Sequence, residues 1–147
     1  MIAPALSRAW RPIAAFALMW LVAGCGGSGP VKSEVAPSNE NLRAVVKSYF
    51  QAMHALERPP HSKDEIVPYL KKFGDPTQLL RSPDDGENYV IIYGFDPLDP
   101  KLVQNVWAYE TRGKDGRRFA VQGRNVIHID DAAFRNKTFA PGHRPAF

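Results

Sequence analysis

Apolar positions Leu42, Val45, Val46, Tyr49, Phe50, Met53 and Leu56 recur at three- and four-residue intervals. That spacing lines one face of a helix. Ser38 or Asn39 can cap its start, with Glu40 in the first turn, where the helix dipole favours negative charge. Pro59-Pro60 ends it, because proline cannot continue the hydrogen-bond ladder. Ser62-Lys63-Asp64-Glu65 has the form of a capping box and opens a short helix carrying Ile66, Val67, Tyr69, Leu70 and Phe73. Gly74 stops it. Pro68 inside it either starts the helix proper or kinks it. Asp75-Pro76 and Ser82-Pro83-Asp84-Asp85-Gly86 punctuate a loop from which Leu79 and Leu80 dip into the core.

From Tyr89 the period shortens to that of strands. Tyr89-Val90-Ile91-Ile92-Tyr93 has no polar member, so both faces of this strand should be covered. Asp96-Pro97-Leu98-Asp99-Pro100 is a rigid loop. Val106–Thr111 and Arg117–Gln122 flank a hairpin with Asp115-Gly116 at its turn. Gly123-Arg124-Asn125 turns the chain into Val126–Ile129, where His128 should project opposite Ile127 and Ile129. Asp130 can cap a last short helix, 131–135, carrying Phe134. Segment 137–147, with Pro141, Gly142, His143 and Pro145, reads as a poorly ordered tail. The order predicts an α+β domain over 39–136: a long N-terminal amphipathic helix plus a short helix, packed on an antiparallel meander of about four strands.

The first 38 residues follow other rules. Arg8 and Arg11 precede an uncharged apolar run from Ile13 to Ala23, and Cys25, the sole cysteine, follows Leu21-Val22-Ala23-Gly24. Gly26-Gly27-Ser28-Gly29-Pro30 comes next, so 26–38 reads as a flexible tether. A charged region, a short apolar region and small residues at a cut form a secretory signal peptide. The Val22-Ala23-Gly24-Cys25 tetrad resembles the lipobox of bacterial lipoproteins. That resemblance implies a diacylglyceryl group on the Cys25 thiol, cleavage of 1–24 between Gly24 and Cys25, and acylation of the new amino terminus. Two or three acyl chains hold a protein durably on a membrane, since each buried methylene contributes about 0.8 kcal/mol. Of the competing readings, an uncleaved anchor would need about 20 apolar residues, twice the run present. The other is an ordinary secreted protein cut elsewhere. Where the lipoprotein sorting rule applies, aspartate after the cysteine would mean retention in the inner membrane, so the resemblance with Gly26 there implies the periplasmic face of the outer membrane.

Removal of Arg8 and Arg11 lowers the charge. The whole chain carries 19 basic and 15 acidic residues; after cleavage 17 basic residues face the same 15 acidic ones, a formal +2. No arginine stripe or aromatic–basic interleaving suggests nucleic acid. With no second cysteine there is no disulfide staple, so one hydrophobic core must hold the domain together.

Enzymatic chemistry finds little to stand on. His54, His61, His128 and His143 are scattered, without a His-x-x-x-His pair. Gly-x-Ser-x-Gly and phosphate-loop patterns are missing, and no cofactor motif or EF-hand ligand series is found. The carboxylate pairs Asp84-Asp85, Asp96/Asp99 and Asp130-Asp131 suit turns and caps. The expectation is therefore a non-enzyme, with no catalytic residues, metal or cofactor, whose partners are the membrane and an envelope protein. The alternative is a ligand- or metal-binding domain, enzymatic in one version, using Asp84, Asp85 and His128. Trp107 and Tyr109, expected on one strand face near Phe119 or Val121, would form a peptide or glycan platform if uncovered.

The order of elements, with Ser82-Pro83-Asp84-Asp85-Gly86-Glu87-Asn88-Tyr89-Val90 entering a strand, also resembles the soluble part of type II secretion pseudopilins, where an Asp-Pro-x-Gly-x-Pro-Tyr type segment precedes the sheet. Small anchored proteins of planctomycete type are similar from Leu42 to Phe134. The pseudopilin resemblance implies a secretion accessory. Pseudopilins, however, begin with a hydrophobic helix cut after glycine, and here a lipobox stands in its place.

Overall fold

The structure is a computed structural model, and it describes residues 36–146. The expected signal peptide, the expected lipidation and cleavage site at Gly24 and Cys25, and the expected tether as far as residue 35 lie outside the described residues.

Helix α1 spans Pro37–Leu56. Neither Ser38 nor Asn39 caps it, contrary to expectation. Ala36 holds the cap position and Pro37 opens the helix, its fixed φ suiting the first turn, where no N–H partner is needed. Ser38 is inside the first turn, its hydroxyl 3.2 Å from that of Ser82, and Asn39 Oδ1 accepts from Arg43 Nε. The helix ends at Leu56, with Glu57 in the left-handed region (φ 54°). Helix α2, Lys63–Leu70, is continuous across Pro68. The capping box is displaced by one residue: Glu65 accepts from the His61 amide at 2.8 Å and grips Arg58 through both carboxylate oxygens. A short α3, Pro76–Leu79, follows where a loop was expected, because the Asp75 side chain accepts from the Thr77 amide.

The class is α+β, with a four-stranded antiparallel sheet in the order β1-β2-β3-β4. Strand β1 is only Val90–Ile91, β2 is Val106–Tyr109, β3 is Arg117–Gln122 and β4 is Asn125–Asp130. The shortness of β1, and its half-buried rather than covered faces, correct the expected five-residue strand. Its flanks are drawn to loops instead: the Tyr89 amide donates to Leu80 and the Gly94 amide to Pro60. Asp115 and Gly116 both have positive φ, the type I′ geometry that Asp-Gly favours between paired strands. Gly123, also at positive φ, starts the two-residue turn that closes on the Gln122–Asn125 pair.

Register breaks once. Val106 pairs with Gln122 and Ala108 with Val121, so Trp107 is the extra residue of a bulge. The bulge resets the alternation, sending Trp107 and Ala108 into the core under α1 while Val106 and Tyr109 face the other side. Trp107 and Tyr109 therefore do not share a face. The α1 side gathers Leu42, Val45, Tyr49, Ile66, Leu70, Trp107, Phe119 and Val121. Tyr49 lies 4.6 Å from Trp107, ring to ring, and donates to the Phe95 carbonyl at 2.7 Å. The opposite side holds Val106, Tyr109, Ala120 and Phe134.

That second side has its own cover. Helix α4, Asp131–Arg135, is capped by Asp130, which accepts from the Ala133 amide. The chain beyond it is packed, which corrects the expected tail: the Val106 amide donates to Thr138, the Ala140 amide donates to Val106, and Ala140 is buried. Phe139 meets Tyr109 and Phe134. An irregular segment needs such backbone bonds, since a buried amide left unpaired costs more than the bond contributes.

Candidate functional site

The five candidate binding residues fall in separate places. Asp85 closes the stem of the β2–β3 hairpin: Oδ2 accepts from the Arg112 and Gly113 amides at 2.8 and 2.9 Å, and Oδ1 from Glu87. Burial pushes its carboxyl pKa up, but these backbone bonds outweigh burial and hold it below the usual range. Asp84 sits beside it, half-buried, its amide directed at Ser82 Oγ. His128 is exposed on β4 and stacks on Phe119 at 4.3 Å, with Ile127 and Ile129 on the other face as the alternation predicts. No hydrogen bond or ion pair joins His128 to either aspartate. Trp107 has no exposed surface, and its Nε1 donates to the Gly123 carbonyl at 2.9 Å. Tyr109 is buried, its hydroxyl 2.7 Å from His143 Nε2. Burial raises the Tyr109 pKa and lowers that of His143, so the neutral forms are favoured in both. The aromatic pair is core, not platform.

A residue not singled out from the sequence joins the domain's parts. Glu110, 1 % exposed, takes a 2.6 Å bond from Ser82 Oγ on one carboxylate oxygen and a 2.7 Å bond from the Phe119 amide on the other. Tyr89 adds a bond to the Ser38 carbonyl. The serine–carboxylate contact resembles the start of a catalytic relay, yet Ser38 and Ser82 are buried and their hydroxyls bond each other, Glu110 and backbone amides rather than an imidazole. A nucleophile needs a base within reach and an approach for substrate, so the network ties α1 to the sheet. No sequence signal pointed to it: Glu110 shares a side with Ala108 by simple alternation, but the bulge decides that this side faces α1. Arg118 plays the matching part on the second face, bonding Asp131 Oδ1 at 2.7 Å and the Thr111 carbonyl, with its guanidinium 4.3 Å above the Phe134 ring.

Of the concavities among the described residues, two border the sheet. A cleft of about 750 Å³ separates α2 and α3 from β1, with Lys63, Asp64, Val67, Lys71, Ile91 and Tyr93 among its walls. Burial first, and the Asp64 charge second, push the Tyr93 hydroxyl up to about 12, so it serves there as a neutral hydrogen-bonding group. A groove of about 510 Å³ between α1 and the β3–β4 turn is floored by Val46, Phe50 and Val126 and flanked by Arg43, Lys47 and Arg124. The Arg124 guanidinium lies 4.5 Å over the Phe50 ring. Histidine lines neither concavity; the cleft carries Asp64 and Asp75 beside Lys63 and Lys71, and both concavities offer mixed apolar and charged contact. Among the described residues no group of three or more His, Cys, Asp or Glu could hold a metal ion, and no helix is long and apolar enough to cross a membrane. Comparison with protein-family models, with curated proteins and with solved structures finds no match.

Proposed function

We propose that this protein is a membrane-anchored envelope lipoprotein whose domain is a non-enzymatic structural or interaction module. The observation that carries the reading is the Leu21-Val22-Ala23-Gly24-Cys25 sequence at the end of a short apolar run and ahead of a glycine-rich tether. The thiol of Cys25 takes the lipid, and the domain stands off the periplasmic face of the outer membrane on the glycine-rich segment between Cys25 and α1. In this reading amphipathic α1 and short α2 brace one face of the meander, leaving its edges and clefts for contact with an envelope protein. The scattering of Asp84, Asp85, His128, Trp107 and Tyr109 supports contact over catalysis, because a reaction centre requires converging groups. A binding site built on Asp84, Asp85 and His128 would need all three in one concavity, and Asp85 is already committed to backbone amides.

Metabolic labelling with a palmitate analogue tests the anchor. The wild-type chain should incorporate label and partition with membranes. Cys25→Ala should lose the label and either stall as a precursor or appear in the soluble fraction. Undiminished labelling of the Cys25→Ala protein would overturn the reading.

A further inference from the structure

The sheet has two edges, and they are built differently. An exposed strand edge offers unpaired N–H and C=O groups to another chain, and folded proteins blunt it by shortening, charging, bulging or covering it. The β1 edge is two residues long, flanked by a one-bridge extension through Arg81 and Asn88, and it borders the cleft beside α2. The β4 edge has none of these devices from Asn125 to Ile129. It runs six residues in unbroken register with β3, with no proline and no lysine, and its one charge, Asp130, stands at the end.

The turn sets which backbone groups are free. The two-residue Gly123-Arg124 connection makes Gln122–Asn125 a pair that exchanges both hydrogen bonds, and alternation follows. Ile127 and Ile129 then bond inward to β3, while Val126 and His128 turn their N–H and C=O groups outward, joined by the Asp130 N–H; the Asp130 C=O serves the first turn of α4. Among the described residues no backbone bond outside the β3 ladder reaches Val126 or His128. The side chains are half-buried at Val126, Ile127 and Ile129, so the edge presents apolar surface with open backbone.

We infer that β4 pairs antiparallel with β4 of a second copy of this chain, in a two-fold register centred on His128, joining two four-stranded sheets into one. The strand is complementary to itself in that register. On the α4 side Ile127 meets Ile129 of the second copy, twice by symmetry. On the α1 side His128 meets its equivalent and Val126 faces Asp130. Arg124 lies diagonal to the second copy's Asp130, within reach of an opposite-charge contact. Two other registers that also put the two-fold axis on an outward-bonding residue fail. Centring on Asp130 sets two carboxylates directly opposite each other, which is destabilising. Centring on Val126 drives the Gly123-Arg124 turn into the ladder and leaves Asp130 unmatched. The pairing rests on reading the domain as an interaction module and names its partner; an anchor at Cys25 would raise its yield by confining copies to one plane.

Cysteine exchange in the full chain, in native membranes under a mild copper–phenanthroline oxidant, tests the register. A hydrogen-bonded antiparallel pair holds its Cα atoms about 5.5 Å apart, inside the range of about 4.4–6.8 Å that a disulfide accepts. His128→Cys should crosslink to itself at least about tenfold faster than Lys47→Cys on α1, a rate set by that proximity. Val126→Cys and Asp130→Cys should crosslink poorly alone and efficiently when co-expressed. Adding Val126→Pro, which removes one outward N–H without touching the β3 ladder, should suppress the His128→Cys product while circular dichroism stays unchanged. His128→Cys crosslinking no faster than Lys47→Cys would overturn the pairing, as would equally fast self-crosslinking of Val126→Cys or an adduct to a different protein. Palmitate labelling of the same cells separates the two ideas. A labelled but uncrosslinked protein refutes the pairing alone, and a crosslinked but unlabelled one refutes the anchor alone.

Discussion

The two faces of the sheet are covered by different means. On one, α1 lays twenty residues across the strands before the sheet begins in sequence, and Trp107, Tyr49, Phe119 and Leu42 interlock beneath it. On the other, five residues of α4 and the irregular segment to His143 cover Val106, Tyr109 and Ala120 after the sheet is complete. The first cover is held mainly by apolar area, which contributes roughly 25 cal/mol per Å². The second is too small for that and is fastened by specific bonds. Arg118 holds Asp131, Asp130 caps α4, Asn105 donates to the Phe139 carbonyl, and Tyr109 meets His143. A short cover depends on its clamps, whereas a long helix depends on its contact area.

If so, the largest single loss should come from the α1 face. Trp107→Ala removes a fully buried indole and its bond to Gly123, and the expected destabilisation is about 4 kcal/mol, within the range for large aromatic truncations. Phe134→Ala on the second face should cost about 3 kcal/mol, since a smaller ring is lost and α4 can settle inward. Urea denaturation followed by circular dichroism measures both. A Phe134→Ala protein less stable than Trp107→Ala would reverse the ranking and show that the second face is the dominant core.

Much of this architecture was legible in the residues. The α+β class, the antiparallel strands, the Asp115-Gly116 turn, the Asp130 cap and the outward side of His128 follow from periodicity and turn chemistry. The bulge at Trp107 was not legible, because no glycine or proline marks it, and one extra residue sufficed to separate Trp107 from Tyr109. The second cover was hidden for a related reason. Segment 137–143 is rich in turn formers and has no period, yet Thr138 and Ala140 bond a strand through their backbones, which side-chain patterns do not encode. Glu110 reads as a surface acid until the bulge turns the side it shares with Ala108 toward α1. The candidate site was less legible than the fold, since Asp84, Asp85 and His128 could be named but their spacing in three dimensions could not.

Truncation after Lys137 sharpens the comparison at the next level down. It removes the Thr138 and Ala140 bonds to Val106 and the packing of Phe139, while leaving α4 and its clamps to Arg118 and Asp130 in place. The expected loss is about 2 kcal/mol, the scale of one large apolar side chain leaving partial burial. Faster hydrogen exchange at the Val106 amide, which donates to Thr138, should accompany it. A truncated chain with native stability and an equally protected Val106 amide would mean that α4 alone covers the face.

The smallest effect should come from a polar clamp on the α1 side, where contact area already holds the cover. Arg58 and the His61 amide bond Glu65 and lower its pKa from 4.5 to about 2. A carboxylate with a depressed folded value stabilises the fold above its ordinary pKa, and that contribution fades as pH falls from about 4.5 toward 2. The pair is solvent-exposed, so screening keeps its share of stability small. Arg58→Ala should therefore move the Glu65 titration upward toward 4.5, stopping short of it because the His61 bond remains. Carboxyl NMR titration would register the move, and stability at neutral pH should hardly change. The same exchange at Arg118 removes a largely buried clamp to Asp131 and two backbone carbonyls, and should destabilise the protein far more. Equal losses from Arg58→Ala and Arg118→Ala would show that both covers rely on clamps alike.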